Sequence, residues 1–382
     1  MKRNVFLKTR DEANGCIRYV VTEDGEPYFT GVYVPGVINT GDICSVRIKD
    51  KLPSCNAVFC DAGDIRSSFI SDCRYEPGKM LLAQAESLGH DSKGIRFSTD
   101  IKLTGEYIVL LFRQEPCRSE YCIKFSKNID DKEARNRIRE RILMSANGNN
   151  SSVPKGCDII IRTSAASLSD LSVIDDELKK LTAEFEILRF TFENEFLCNA
   201  KTGILYGCAD VLEHIIRQTN TSEFDEIITD SSLLSHELSL KHINLSGRIK
   251  CMSKSNTFDI FDVYSIGSKL AQLLRHKVYM KSGSFLVIDY TEALTVIDVN
   301  SGKNTSGNSI DINYEAAREI SRQLRLRDIG GIVICDFINM KNKSDDNELL
   351  SYLKRITASD PSPVVISGMT KLGLVELTRK RR

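Results

Sequence analysis

Two aspartates close apolar runs in the last third of the chain. Asp298 follows Leu294-Thr295-Val296-Ile297, and Asp336 follows Ile332-Val333-Ile334-Cys335. Such runs read as strands, whose side chains alternate between faces. Leu294, Val296, Asp298 and Asn300 then share one face, and Ile332, Ile334 and Asp336 share a face of the later strand. Carboxylates that converge at one edge of a sheet suit a hard cation, typically Mg²⁺ with several retained waters. A cation there would organise in-line attack of water on a phosphodiester. The plain alternative is that an Asp before Asn-Ser-Gly is a turn former. Arg162-Thr163 follows the strand-like Asp158-Ile159-Ile160-Ile161, and the guanidinium fork suits phosphate; the alternative is a solvated loop arginine. Phe59 and Phe69 lie in barrel-like sequence, where aromatics either stack bases or fill the core. Lys93 and Arg96 flank Gly94, a loop suited to backbone phosphates.

These residues need elements to hold them. Residues 1–38 alternate short apolar stretches with turn signals (Asn14-Gly15, Asp24-Gly25, Pro35-Gly36), the pattern of hairpins. Residues 39–99 continue as about five short strands, which predicts a small barrel. A strand pair follows in 100–111, and Asp130 to Met144 is charged and helical. Ser169 to Phe190 reads as one long helix through Leu171, Ile174, Leu178, Leu181, Phe185 and Leu188. Two strands end in Asp289 and Asp298. A helix from Tyr314 to Arg327, capped by Asn313, then buries Ala316, Ala317, Ile320 and Leu324, and Gly330-Gly331 stops it. The strand that ends in Asp336 completes a β-β-α-β order.

Composition narrows the partners. Lys+Arg and Asp+Glu are both 52 in 382 residues, so the net charge is zero. That excludes a polycation but leaves a local RNA-binding patch open. No apolar run approaches the roughly 20 residues of a membrane helix, and no signal peptide is visible. The 12 cysteines contain no CxxC pair and the five histidines no HxxxH, so reduced thiols in a cytoplasm are expected.

The wording of the second half resembles the catalytic core of the ribonuclease E/G family. The resemblance is carried by residues 281–289, Thr291-Glu292-Ala293-Leu294 and Ile297-Asp298-Val299-Asn300-Ser301-Gly302. It continues through Glu315-Ala316-Ala317-Arg318, residues 322–331, Asp336-Phe337-Ile338 and Gly373-Leu374-Val375-Glu376-Leu377. Residues 52–63 resemble that family's S1-type barrel. Gly105-Glu106-Tyr107-Ile108-Val109 and Asp158 to Thr163 resemble its 5′-end sensor. Asn339 and Ser284 stand where the family usually has Asp and Gly. The resemblance implies a multidomain fold of α+β and α/β character: an RNase H-like subdomain (1–38 and 207–275) that carries an inserted S1-type OB barrel (39–99) and a 5′-sensor (100–206), then a DNase I-like catalytic subdomain (276–382). It implies Asp298 and Asp336 as Mg²⁺ ligands with Asn300 in support. Arg162 and Thr163, with backbone from Gly105 and Val109, would grip a 5′-monophosphate, and Phe59, Phe69 and Lys93 would clamp single-stranded RNA.

The expected function is therefore a cytoplasmic, Mg²⁺-dependent endoribonuclease of RNA processing and decay, rRNA processing and mRNA decay alike. It would cut single-stranded RNA and leave 5′-phosphate and 3′-hydroxyl ends. The alternative is a catalytically inactive RNA-binding protein of the same fold. A zinc-linked dimer is not expected, because the family's CxxC link does not occur within these residues; a monomer or weak dimer is. The basic run Arg379 to Arg382 is expected to be exposed near the RNA path.

Overall fold

The computed structural model describes residues 2–11, 15–52, 56–64, 68–71, 74–88, 94–113, 121–126, 129, 131–147, 157–252, 259–302, 308–340 and 342–380. The chain divides into two compact units, residues 1–35 with 209–382, and residues 36–208. The fold is mixed α+β.

The chain opens with a meander, β1 (Arg3–Asp11), β2 (Cys16–Glu23) and β3 (Glu26–Tyr33). The second unit begins with β4 (Ile43–Leu52), β5 (Ala57–Asp61), β6 (Ser68–Ser71), β7 (Met80–Ser87) and β8 (Ile95–Ser98). Because β4 pairs with both β5 and β7, the five strands close into a barrel. Closure removes the sheet edges, and alternation puts Val46, Ile48, Val58, Ile70, Ala83 and Phe97 inside. A second sheet follows with β9 (Ile101–Thr104), β10 (Ile108–Phe112) and β11 (Tyr121–Phe125), then α1 (Lys132–Asn147) and β12 (Cys157–Ile161). Helix α2 (Ser172–Thr191) lays Ile174, Leu178, Leu181 and Leu188 on the core of that sheet. These are four of the six positions read from the periodicity, and Phe185 stacks on Phe112 with ring centroids 3.5 Å apart. Strand β13 (Gly203–Tyr206) pairs with β4.

The first unit resumes with α3 (Val211–Thr219), β14 (Glu226–Thr229), α4 (Ser232–Lys241), β15 (Ile249–Cys251), α5 (Ile260–Val263) and α6 (Ile266–Leu273). Strand β14 pairs in parallel with β1, giving the sheet order β15-β14-β1-β2-β3. The last sheet uses β16 (Lys277–Tyr279), β17 (Phe285–Tyr290) and β18 (Leu294–Asn300), then α7 (Ser309–Leu326), β19 (Gly331–Asp336), α8 (Lys343–Thr357), β20 (Val364–Met369) and β21 (Val375–Arg379). Its order is β16-β17-β18-β19-β21-β20.

Two local expectations are corrected. Helix α7 starts a turn earlier than read, after Asn308. Asn313 is not its cap but a fully buried residue inside it. Its side-chain amide donates to the Ile338 carbonyl at 2.8 Å and accepts from the Ile338 N–H at 3.0 Å. An Asn that satisfies both backbone groups of a passing chain is at home in a helix interior, where spacing alone cannot distinguish it from a cap. The basic run is not all exposed either. Arg379 is 1% exposed. Its Nε donates to the Asp360 carboxylate at 3.2 Å, and its Nη1 donates to Asp328 at 2.9 Å and to the Ile329 carbonyl at 3.0 Å. Alternation along β21 buries Val375, Leu377 and Arg379 together, and two carboxylates compensate the charge. Arg381 and Arg382 lie outside the described residues.

Candidate active site

The core of the last sheet is one-sided. Leu286, Ile288, Ile297, Val299, Val333, Cys335, Val375 and Leu377 pack with Ala316, Ala317, Ile320 and Leu324 of α7 and with Leu349 and Leu353 of α8. The intervening residues form the other face. There Ile332 and Asp336 are exposed, and Val296, Asp298, Asn300 and Ile334 are half-buried. Strands β18 and β19 run parallel in the register Val296↔Ile334 and Asp298↔Asp336. The two aspartates are therefore direct neighbours on adjacent strands, on the face opposite α7 and α8. Asn300 Nδ2 donates to Asp298 Oδ2 at 2.7 Å. That bond fixes one oxygen, and no other group among the described residues hydrogen-bonds to the Asp298 side chain. Among the described residues, no group hydrogen-bonds to Asp336 and no cluster of three or more metal-ligating side chains occurs. Two carboxylates fit Mg²⁺, which keeps several waters, better than a cation that needs a full protein cage.

Ser284, at the Gly-like position, is fully buried and hydrogen-bonds Ser282. Asn339 is exposed on the loop after β19.

The residues read as an anion site around Arg162 lie together in the second unit. Arg162 directly follows β12, and its Nη1 donates to the Gly105 carbonyl in the β9–β10 turn, while its N–H donates to the Tyr107 carbonyl at 2.9 Å. The Thr163 hydroxyl lies 3.1 Å from that of Ser126, and Ser164 donates to the Glu106 carbonyl at 2.6 Å. Val109 lies in the ladder between Thr104 and Ile160. Sequence reasoning missed Glu177, on α2. Its carboxylate accepts from the backbone N–H of Glu106, and of Tyr107 and Ile108 at 2.9 Å each. Three consecutive amides thus converge on one carboxylate, the geometry of an anion nest. Gly105 permits the approach, since a Cβ there would stand 2.4 Å from Glu177. No local signal marks Glu177, whose partners lie about 70 positions earlier in the chain.

Phe59 and Phe69 face each other across β5 and β6. Phe59 is exposed and Phe69 half-buried, whereas Val58, Cys60 and Ile70 point inward, so the two rings lie on the outer wall of the barrel rather than in its core. Lys93 lies outside the described residues. A cavity of about 850 Å³ in the first unit, between α7 and the β1–β3 meander, contains neither aspartate. Two of its arginines are already paired, Arg3 with Glu23 and Arg322 with Glu319. No helix among the described residues is long and apolar enough to cross a membrane.

A sequence profile of the Ribonuclease E/G family matches residues 102–382. The Ribonuclease E of Synechocystis sp. is 30% identical over 376 residues, covering 91% of this chain and 53% of that protein. The Ribonuclease G of Escherichia coli K12 is 27% identical over 380 residues, covering 89% of this chain and 72% of its own length. The chain spans about half the length of the Ribonuclease E relatives it matches. It belongs to the Ribonuclease E/G family.

Proposed function

We propose that the chain is a Mg²⁺-dependent endoribonuclease for single-stranded RNA that acts in RNA processing and decay and favours 5′-monophosphorylated substrates. The observation that carries the reading is the side-by-side register of Asp298 and Asp336 on an open sheet face, with Asn300 bound to the first. Asp298 and Asp336 would hold the cation, which when bound activates water and offsets charge on the scissile phosphate. Asn300 orients the Asp298 carboxylate. Hydrolysis breaks the P–O3′ bond, so the downstream fragment keeps a 5′-phosphate and the upstream one a 3′-hydroxyl. Phe59 and Phe69 offer stacking surfaces on the barrel wall, and Lys93 joins them on resemblance alone. Arg162 and Thr163 would take the 5′-phosphate, with backbone from Gly105 and Val109, beside the β9–β10 turn that Glu177 braces. In this reading residues 1–38 and 207–275 form the RNase H-like part, 39–99 the S1-type barrel, 100–206 the sensor and 276–382 the DNase I-like part. The chain would work in the cytoplasm as a monomer or weak dimer; the described cysteines are free thiols, as a reducing compartment requires.

The test is incubation with a 5′-monophosphorylated, A/U-rich oligoribonucleotide, with Mg²⁺ or with EDTA. Internal cuts that require Mg²⁺ are expected. Binding without cutting under both conditions would instead indicate an RNA-binding protein of the same fold.

A further inference from the structure

The open face that carries the two aspartates continues over two more strands. In register, Lys277, Val287, Asp298 and Asp336 form one transverse row across β16, β17, β18 and β19. Tyr279, Phe285 and Asn300 form the next row. With strands about 4.8 Å apart, Lys277 lies roughly 10 Å from Asp298, and Phe285 stands directly opposite Asn300. The Lys277 ammonium is 3.4 Å from the Phe285 ring centroid and 5.1 Å from that of Tyr279. The two rings are 5.7 Å apart and inclined by 54°. Gly302 permits this arrangement, because a Cβ there would lie 3.3 Å from the Phe285 ring and 2.4 Å from the Gly283 carbonyl.

The cluster does not serve the core. Val278 and Leu286, on the opposite face of the same strands, do that. Tyr279 is 67% exposed. Among the described residues, Lys277 has no carboxylate partner, and its contacts are the two rings. A cation held on aromatic faces is attracted by the ring quadrupole and fixed in direction. An ammonium for phosphate next to an open ring for a base is the combination by which single-stranded nucleic acid is held without sequence readout. Lys277 shares the transverse row of the two carboxylates.

We propose that Lys277, Tyr279 and Phe285 form a nucleotide subsite beside the carboxylate pair. Tyr279 stacks the base of a nucleotide neighbouring the scissile phosphate, Lys277 takes that nucleotide's phosphate, and Phe285 supports both. The subsite deepens the endoribonuclease reading and rests on it.

The experiment measures binding of a 5′-hydroxyl, A/U-rich oligoribonucleotide in EDTA over a salt series, and steady-state cleavage of the same oligonucleotide in Mg²⁺. The proteins are wild type, Lys277→Gln, Lys277→Arg, Tyr279→Ala and Tyr279→Phe. Lys277→Gln should lower the slope of log affinity against log salt by about 0.7, the value for one phosphate contact on a single strand. Lys277→Arg should restore it. Tyr279→Ala should weaken binding roughly tenfold, Tyr279→Phe should not, and the cleavage losses should appear in KM rather than kcat. An unchanged salt slope in Lys277→Gln, with unchanged affinity in Tyr279→Ala, overturns the subsite even if wild type cuts normally. If wild type does not cut in Mg²⁺, the endoribonuclease reading fails, and the binding series alone decides whether the cluster holds RNA.

Discussion

A carboxylate and its amide have nearly the same shape, so Asp298→Asn and Asp336→Asn test charge alone. Each should lower Mg²⁺-dependent cleavage by at least about 100-fold, the effect of removing an electrostatic group that acts on the transition state. RNA affinity in EDTA should persist, because the barrel wall is untouched; near-normal turnover would relocate the site. On the proposed 5′-end reading, wild type should favour a monophosphate over a hydroxyl by the roughly 1.5–3 kcal/mol of charge-assisted hydrogen bonds, and Arg162→Ala should erase that difference. Glu177→Ala should produce the same loss indirectly, since it leaves three amides of the β9–β10 turn without their acceptor. Retention of the monophosphate preference by Glu177→Ala would show that the turn holds its shape unaided. The two aspartates were legible in the sequence because each ends an apolar run. Their direct pairing was not, because strand register depends on partners that no single strand reveals. Glu177 was illegible for the same reason.

Elements inherit their legibility from periodicity. The α2 and α7 core stripes could be read because i, i+3 and i+4 positions repeat over four or five turns. The start of α7 could not, since Asn308 and Asn313 are equally good caps in isolation, and only the buried contact with Ile338 distinguishes them. On the barrel, alternation left both faces possible for Phe59 and Phe69, and the structure turns both outward. Alanine at either position should therefore weaken RNA binding by about 1–3 kcal/mol while melting close to wild type. A melting loss of core size, about 3–5 kcal/mol, would contradict the outer-wall placement. Helix α3 carries a different liability. Its His214 is buried against Tyr19 and Tyr33, and its Nε2 lies 3.2 Å from the Tyr19 hydroxyl. Burial, with Arg217 nearby, pushes its pKa down from 6.5 to about 4. Between those values the unfolded chain binds a proton that the folded chain does not. The stability contribution is complete above pH 6.5 and is lost as pH falls toward 4, by about 3 kcal/mol in all. Denaturant titrations at pH 7 and pH 4.5 check this, and His214→Phe should flatten the difference even if it is less stable at pH 7.

At the scale of the whole molecule, residues distant in sequence meet at buried positions. Arg379, near the end of the last sheet, is neutralised by Asp328 and Asp360. Arg379→Met would leave the buried Asp360 without its partner and should cost about 3–5 kcal/mol in urea denaturation; a cost below 1 kcal/mol would mean the carboxylates find other donors. The strand order carries a consequence for synthesis. Strand β1, with Val5, Phe6 and Leu7 at its centre, is flanked by β2 and by β14, which begins only at Glu226. On a ribosome that adds about 5–20 residues per second, the β1 edge must wait for the whole 36–208 unit to emerge before its parallel neighbour exists. During that interval an apolar strand edge is open to any other nascent chain. The order of emergence therefore gives β1 a long interval in which a chaperone can shield its edge, although it is central in its sheet once the chain is folded.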